Sequence, residues 1–169
     1  LLLGLVAGNA TGLRGIAVYL AVYTFANLGV LMVLIAIRTR TSGLPEEDVS
    51  DLNGLAARHP LYAAAMLVFL LSLAGIPPTG GFLGKYYIFL SLLETGHAVL
   101  AVIAALYVAV SLFYYFRIVR GMYMLPGDSK PLASSAGMNL AVAISGLATL
   151  LLGLFPEPFL KFAAGALLR

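Results

Sequence analysis

Apolar stretches of membrane-crossing length alternate along the chain with short groups of charged, glycine and proline residues. Leu1 to Val6 reads as the end of a helix begun earlier, followed by a turn-like Gly8-Asn9-Ala10-Thr11-Gly12 and an interfacial Arg14. Ile16 to Ile37 carries no charge and predicts a full span, because crossing the hydrocarbon takes about 20 apolar residues. Ala98 to Phe116 predicts another, closed by the aromatic belt Phe113-Tyr114-Tyr115-Phe116 before Arg117 and Arg120. Met138 to Phe155 predicts a last span that Pro156 ends, with a tail returning to the interface. The longest polar loop, 38–59, holds Glu46, Glu47, Asp48 and Asp51. Near its end Asp51 or Asn53 is expected to open a short amphipathic helix, with Leu52, Leu55 and Ala56 against the membrane.

The stretch from Pro60 to Leu93 breaks this pattern. It is too short for two crossings and too long for one, and Gly75-Ile76-Pro77-Pro78-Thr79-Gly80-Gly81 interrupts it. Proline removes a backbone donor and clashes with the preceding turn, and glycine admits dihedrals other residues avoid, so Gly75, Pro77, Pro78, Gly80 and Gly81 mark a helix break. Two half-helices, Pro60 to Ala74 and about Thr79 to Leu93, fit a single discontinuous crossing. Broken backbone at membrane depth persists where protein or water satisfies its amides and carbonyls, and ion and proton sites are built at such places.

Lys85 lies beside the break and nine residues before Glu94, too far for easy snorkelling to that end. An intramembrane lysine costs about 2.5–3.5 kcal/mol on insertion scales, so function is the default reading. Burial and the positive end of the second half-helix both disfavour the ammonium, and a lysine so placed can exchange a proton. The alternative is a structural lysine held by a buried carboxylate or by carbonyls around the break. Tyr19, Tyr23, Thr24 and Asn27 recur at helical spacing on the first full span, where they line a polar path or make interhelical hydrogen bonds. Glu94 and His97 flank a tight connection and read as a proton port or, more simply, as exposed loop residues. His59, just before Pro60, reads as structural.

Composition sharpens the picture. The chain is 62% hydrophobic and 10% charged, with a mean hydropathy of +1.01, the profile of an all-α polytopic membrane protein in contact with lipid. Without cysteine there are no disulfides or thiolate metal sites, and two widely separated histidines give poor support to a metal or haem site. The net charge of +3 does not form a basic face, so nucleic acid is not an expected partner. Gly80-Gly81-Phe82-Leu83-Gly84-Lys85 lacks the spacing, the following Ser or Thr and the preceding strand of a phosphate loop. Leu1 within an apolar stretch, with no charged region before it, argues against a signal peptide and for a piece of a longer chain. If Pro60 to Leu93 crosses once, Arg38, Arg40, Arg58, Arg117, Arg120 and Lys130 share one side, opposite Arg14, Lys161 and Arg169. The positive-inside rule then makes loops 38–59 and 117–137 cytoplasmic and the C-terminus periplasmic.

The run Leu73-Ala74-Gly75-Ile76-Pro77-Pro78-Thr79-Gly80-Gly81-Phe82-Leu83-Gly84-Lys85-Tyr86-Tyr87 closely resembles the signature of the antiporter-like, proton-pumping membrane subunits of respiratory complex I. Tyr19 to Gly29 and Phe113 to Arg120 support a likeness to the C-terminal part of the N subunit type, equivalent to mitochondrial NADH dehydrogenase chain 2. Gly80 stands where alanine is common, a mild departure. The resemblance implies a protein of two inverted five-helix repeats, each with a broken helix, in a bacterial inner membrane. Residues 1–120 would be the C-terminal part of the second repeat, with Pro60 to Leu93 as the family's broken helix 12, and 121–169 the connector and last span. Lys85 falls on the helix-12 lysine to which the family's proton transfer is ascribed. The resemblance further implies a subunit of an NADH:quinone oxidoreductase (a translocase), with no redox chemistry and no cofactor on this chain. FMN, iron-sulfur clusters and quinone would be bound by other subunits, and neighbouring membrane subunits would be its partners. The second choices are a subunit of a multisubunit cation/proton antiporter or membrane-bound hydrogenase, and a structural membrane scaffold.

Overall fold

The computed structural model describes residues 1–37, 49–127 and 135–161. Helix α1 (Leu2–Ala7) stops at Gly8, whose φ of 64° lets its N–H return to the Leu5 carbonyl. Helix α2 (Ala10–Ile37) starts earlier than the charge pattern predicts, so Thr11, Gly12 and Arg14 lie inside the helix and not in a turn. Two causes are visible. The Asn9 Oδ1 accepts from the Gly12 N–H at 2.8 Å, which caps the new helix end. Gly12 lies against the Gly4 carbonyl and Gly15 against Ile88, where an added Cβ would stand at 2.5 and 3.0 Å, so glycine serves close packing here.

A 3-10 turn (Val49–Leu52) and helix α3 (Leu55–Arg58) follow. Neither Asp51 nor Asn53 opens α3; Gly54 does, at φ 67°. Leu52 and Leu55 are buried in the bundle with Ile37, Met66 and Met122, so the apolar side of this segment faces protein and not lipid. The Gly54 N–H donates to the Gly121 carbonyl, which pins the segment onto the next long helix, while Arg58 Nη2 donates to the carbonyls of Asp51 and Asn53 and braces the segment on itself.

Helix α4 (Pro60–Ala74) and helix α5 (Gly80–Glu94) are the two short halves around the break. Helix α6 (Ala98–Met124) runs well past the aromatic belt, so Arg117 and Arg120 are helical. Helix α7 (Ala136–Leu154) is capped by Ser135 Oγ, which accepts from the Met138 N–H at 3.2 Å. Helical backbone resumes over 157–161. Helices α2, α6 and α7 are each long and apolar enough to cross a membrane. The chain is a multi-pass, all-helical membrane protein among its described residues.

Which ends meet fixes the path of α4 and α5. The start of α4 follows directly on α3, whose cap Gly54 is bonded to Gly121 near the end of α6. The Tyr62 hydroxyl donates to Asn139 Oδ1 at this same end. The end of α5 instead packs with Ala7 and Ala101, and Glu94 Oε2 accepts from Asn9 Nδ2 at 2.9 Å. The two halves therefore enter at one end of the bundle and leave at the other, one crossing between them. Gly80 packs on Val22 of α2, which at 1.5 Å per residue lies about 22 Å from Ile37 and about 18 Å from Ala10. The break sits near mid-depth.

Close backbone approach holds the bundle, as it does where lipid removes the hydrophobic drive between helices. Gly29 of α2 lies under the ring of the fully buried Phe69, and a methyl group there would overlap it. Gly29→Ala is expected to destabilise the full-length parent by about 1–3 kcal/mol. Gly29→Ala with Phe69→Leu should recover part of that loss. Thermal unfolding in detergent checks both; a Gly29→Ala variant that melts with the wild type would contradict this packing.

Candidate functional site

A helix ends with four carbonyls that lack an intrahelical partner. At the end of α4 these belong to Leu71, Ser72, Leu73 and Ala74. Gly75, at φ 81°, donates its N–H to the Ser72 carbonyl at 3.0 Å, and Ile76 donates to Leu71 at 2.9 Å, the paired bonds of a Schellman end. That leaves Leu73 and Ala74. Lys85 Nζ donates to both carbonyls, at 2.8 Å each. The ammonium completes the account of α4's end from the second turn of α5, because helical side chains lean back toward their own N-terminus. Of the two structural partners open to Lys85 in the sequence, the contacts are with carbonyls around the break. The negative end of α4 meets the charge, and not the positive end of α5 alone. Gly75 makes the contact possible a second time over, since a Cβ there would lie 2.7 Å from Lys85 Cδ.

The opposite lip of the break is the start of α5. Thr79, at the cap position, turns its hydroxyl back to the Ile76 carbonyl at 2.7 Å. Ser72, on the other half-helix, supplies the acceptor: the Gly81 N–H donates to Ser72 Oγ at 3.2 Å. The halves cross so tightly that a methyl group on Gly81 would overlap the Ser72 carbonyl oxygen. Nothing in the sequence marks Ser72, because a serine nine residues before a glycine has no local signature.

Beside the break a small open cleft is lined by Tyr19, Val22 and Tyr23 of α2 and by Ser72, Leu73 and Gly81. Tyr19 stacks on Tyr23 with ring centroids 5.6 Å apart, and its Cα and Cβ press on Gly84, the neighbour of Lys85. Tyr23 thus reaches the cleft. Thr24 and Asn27 hydrogen-bond back to their own helix, at the Leu20 and Tyr23 carbonyls, over 2.8 and 2.7 Å. Neither of those bonds joins two helices.

At the far end of α5, Glu94 and His97 go to different partners. Glu94 is exposed and accepts from Asn9, whose other amide atom caps α2. His97 Nδ1 lies 2.9 Å from Thr95 Oγ1. Asn9 is the residue that sequence reasoning passed over; its place just before a helix was the available signal. His59 is confined to backbone bonding, between Leu55 and Ala63. Among the described residues, no three His, Asp or Glu side chains gather as metal ligands.

A family profile described as the transmembrane region of NADH:quinone oxidoreductase and Mrp antiporters matches residues 1–113. The chain is 57% identical to NADH-quinone oxidoreductase subunit N 2 of Solibacter usitatus, over 100% of the chain and 34% of that relative. It is 41% identical to subunit N of Rhodospirillum rubrum, over 93% of the chain and 32% of that relative. The chain thus spans about a third of the length of these curated relatives. Among solved structures, respiratory complex I of Thermus thermophilus with bound aureothin matches with a TM-score of 0.78 and 31% identity, over 94% of this chain and 35% of that one. An Mrp complex from a Dietzia species shares the fold, with a TM-score of 0.75 at 19% identity.

Removing the cross-helix cap by Ser72→Ala is expected to cost about 1 kcal/mol in thermal stability of the full-length parent. Gly81→Ala should be far worse and block assembly. Blue-native gels of membranes read the outcome, and wild-type assembly of Gly81→Ala would rule out the tight crossing of the half-helices.

Proposed function

Because the chain belongs to the NADH:quinone oxidoreductase/Mrp antiporter family of membrane proteins, we propose that it is the C-terminal part of an N-type subunit that moves protons within complex I. The observation that carries the reading is Lys85: a lysine near mid-depth, at a helix break, beside an open cleft lined by two tyrosines. An amine there can take up and release a proton. In the charged state its bonds to Leu73 and Ala74 are charge-assisted, and on release they fall to ordinary amine bonds. Transfer of the proton is thereby tied to how firmly the end of α4 is held.

Tyr23 is the best placed of the remaining path candidates, with Thr24, Asn27, Glu94 and His97 behind it. In this reading residues 1–120 complete the proton-moving repeat and 121–169 add the connector and last span. NADH oxidation and quinone reduction then take place on other subunits, which hold FMN and iron-sulfur clusters, and neighbouring membrane subunits are the partners. The setting is a bacterial inner membrane. For the orientation, with loops 38–59 and 117–137 cytoplasmic and the C-terminus periplasmic, support comes from Arg58, which with Arg120 belongs to the end of the bundle opposite Arg14. Arg38, Arg40, Lys130 and Arg169 lie outside the described residues.

The carbonyl contacts also favour a second reading, in which Lys85 is a helix cap and nothing more. Arginine separates the two, since it keeps the charge and the donors but does not give up its proton. In the full-length parent complex, Lys85→Arg is expected to assemble normally while proton pumping coupled to quinone reduction falls about tenfold or more. Lys85→Ala should lose pumping and some stability together. Sealed-vesicle pumping, quinone reduction and native gels on the same membranes decide it: wild-type pumping by Lys85→Arg leaves the cap reading alone.

A further inference from the structure

The last turn of α7 lies against the break. A Cβ on Gly153 would stand 2.5 Å from the Gly80 nitrogen and 2.6 Å from the Thr79 carbonyl carbon, and would overlap the Pro78 carbonyl oxygen. All three are backbone atoms, which cannot swing aside as a side-chain tip can. From the other side, a Cβ on Gly80 would meet Val22 Cγ2 at 2.6 Å and the Gly153 nitrogen at 3.3 Å. The connection between the half-helices is therefore held between α2 and α7. The other two α7 glycines have more room: a Cβ on Gly146 would make ordinary contacts with the Phe69 ring at 3.8 and 3.9 Å, and one on Gly137 would meet nothing.

This contact bears on the site through covalent geometry. Pro78 and Thr79 end the link between α4 and α5 and Gly80 opens α5, so where they sit sets how the Leu73 and Ala74 carbonyls face the Lys85 ammonium. We propose that Gly153 is a positioning residue, whose lack of a side chain seats the break against α7 and so fixes Lys85 on its carbonyls. The proposal rests on the reading of Lys85 as a proton-exchanging group. It makes α7, which contributes no hydrogen bond to Lys85, part of what shapes the site.

The test uses the full-length parent complex in sealed vesicles. Gly153→Ala is expected to assemble, to lower coupled proton pumping about tenfold or more and to shift the pH profile of turnover, because displacement of about 1 Å near a reacting group is costly. Gly146→Ala should keep wild-type values in every assay. In a Lys85→Ala background, Gly153→Ala should add no further loss, since it acts through the lysine. Additive losses, or wild-type pumping and pH profile in Gly153→Ala alone, overturn the proposal. If Gly153→Ala does not assemble, adding Val22→Ala vacates volume behind Gly80 and the same comparison is made in that pair. A pair that also fails to assemble assigns Gly153 to folding and overturns the proposal as well. Wild-type pumping by Lys85→Ala would instead sink the lysine reading itself, an outcome distinct from a silent Gly153→Ala.

Discussion

Backbone polar groups inside a membrane have no water to fall back on, and each one left unpaired costs several kcal/mol. Breaking a helix at mid-depth strips partners from two sets of them at once. The contacts around Gly75 to Gly81 form a ledger of carbonyls and amides: the Schellman bonds take Leu71 and Ser72, Lys85 takes Leu73 and Ala74, and Ser72 Oγ takes the Gly81 N–H. A cation is the natural group for the carbonyl end, where the helix dipole is negative. The structural demand of the carbonyl end of the break is thus met by one charged side chain.

The glycines serve that demand by letting backbones touch. Gly81 admits the crossing of the half-helices, Gly84 admits Tyr19, and Gly29 admits the Phe69 ring. Such contacts replace hydrophobic burial as the source of tertiary order, since side chains leaving lipid for another helix change apolar surroundings only slightly. Much of α6 illustrates the converse. Val99, Val102, Ile103, Leu106 and Val110 point outward and are exposed in the isolated chain, as residues of a helix facing acyl chains or another membrane subunit would be.

The break was legible because proline and glycine act locally: Pro60 to Ala74 ends where the sequence places it, and α5 starts within one residue of the expected Thr79. Helix starts governed by distant packing were not. Gly8 to Gly12 looks like a turn until the Gly4 carbonyl and Ser91 are brought beside Gly12, after which glycine inside a helix is the better solution. Likewise Leu52 and Leu55 carry an amphipathic pattern that suits a membrane surface and a protein core equally, and Gly121 and Met122 decide the matter from far along the chain. The site divides in the same way. Lys85 is visible as a charge in an apolar run and Asn9 as a capping residue before a helix, whereas Ser72 and Gly153 depend on partners in other helices and leave no local trace.

The grip of Lys85 on α4 spans a separation of only 12 and 11 residues, while its backing on α7 comes from far later in the chain. Chains emerge from the ribosome N-terminus first, so local contacts have the chance to form before distant ones. The two half-helices can accordingly take up their crossed arrangement as a short unit during synthesis, with the wall against Pro78 to Gly80 absent until α7 follows. Local contacts alone can thus cap the lysine, and α7 is the element that closes its surroundings on the side of Pro78 to Gly80.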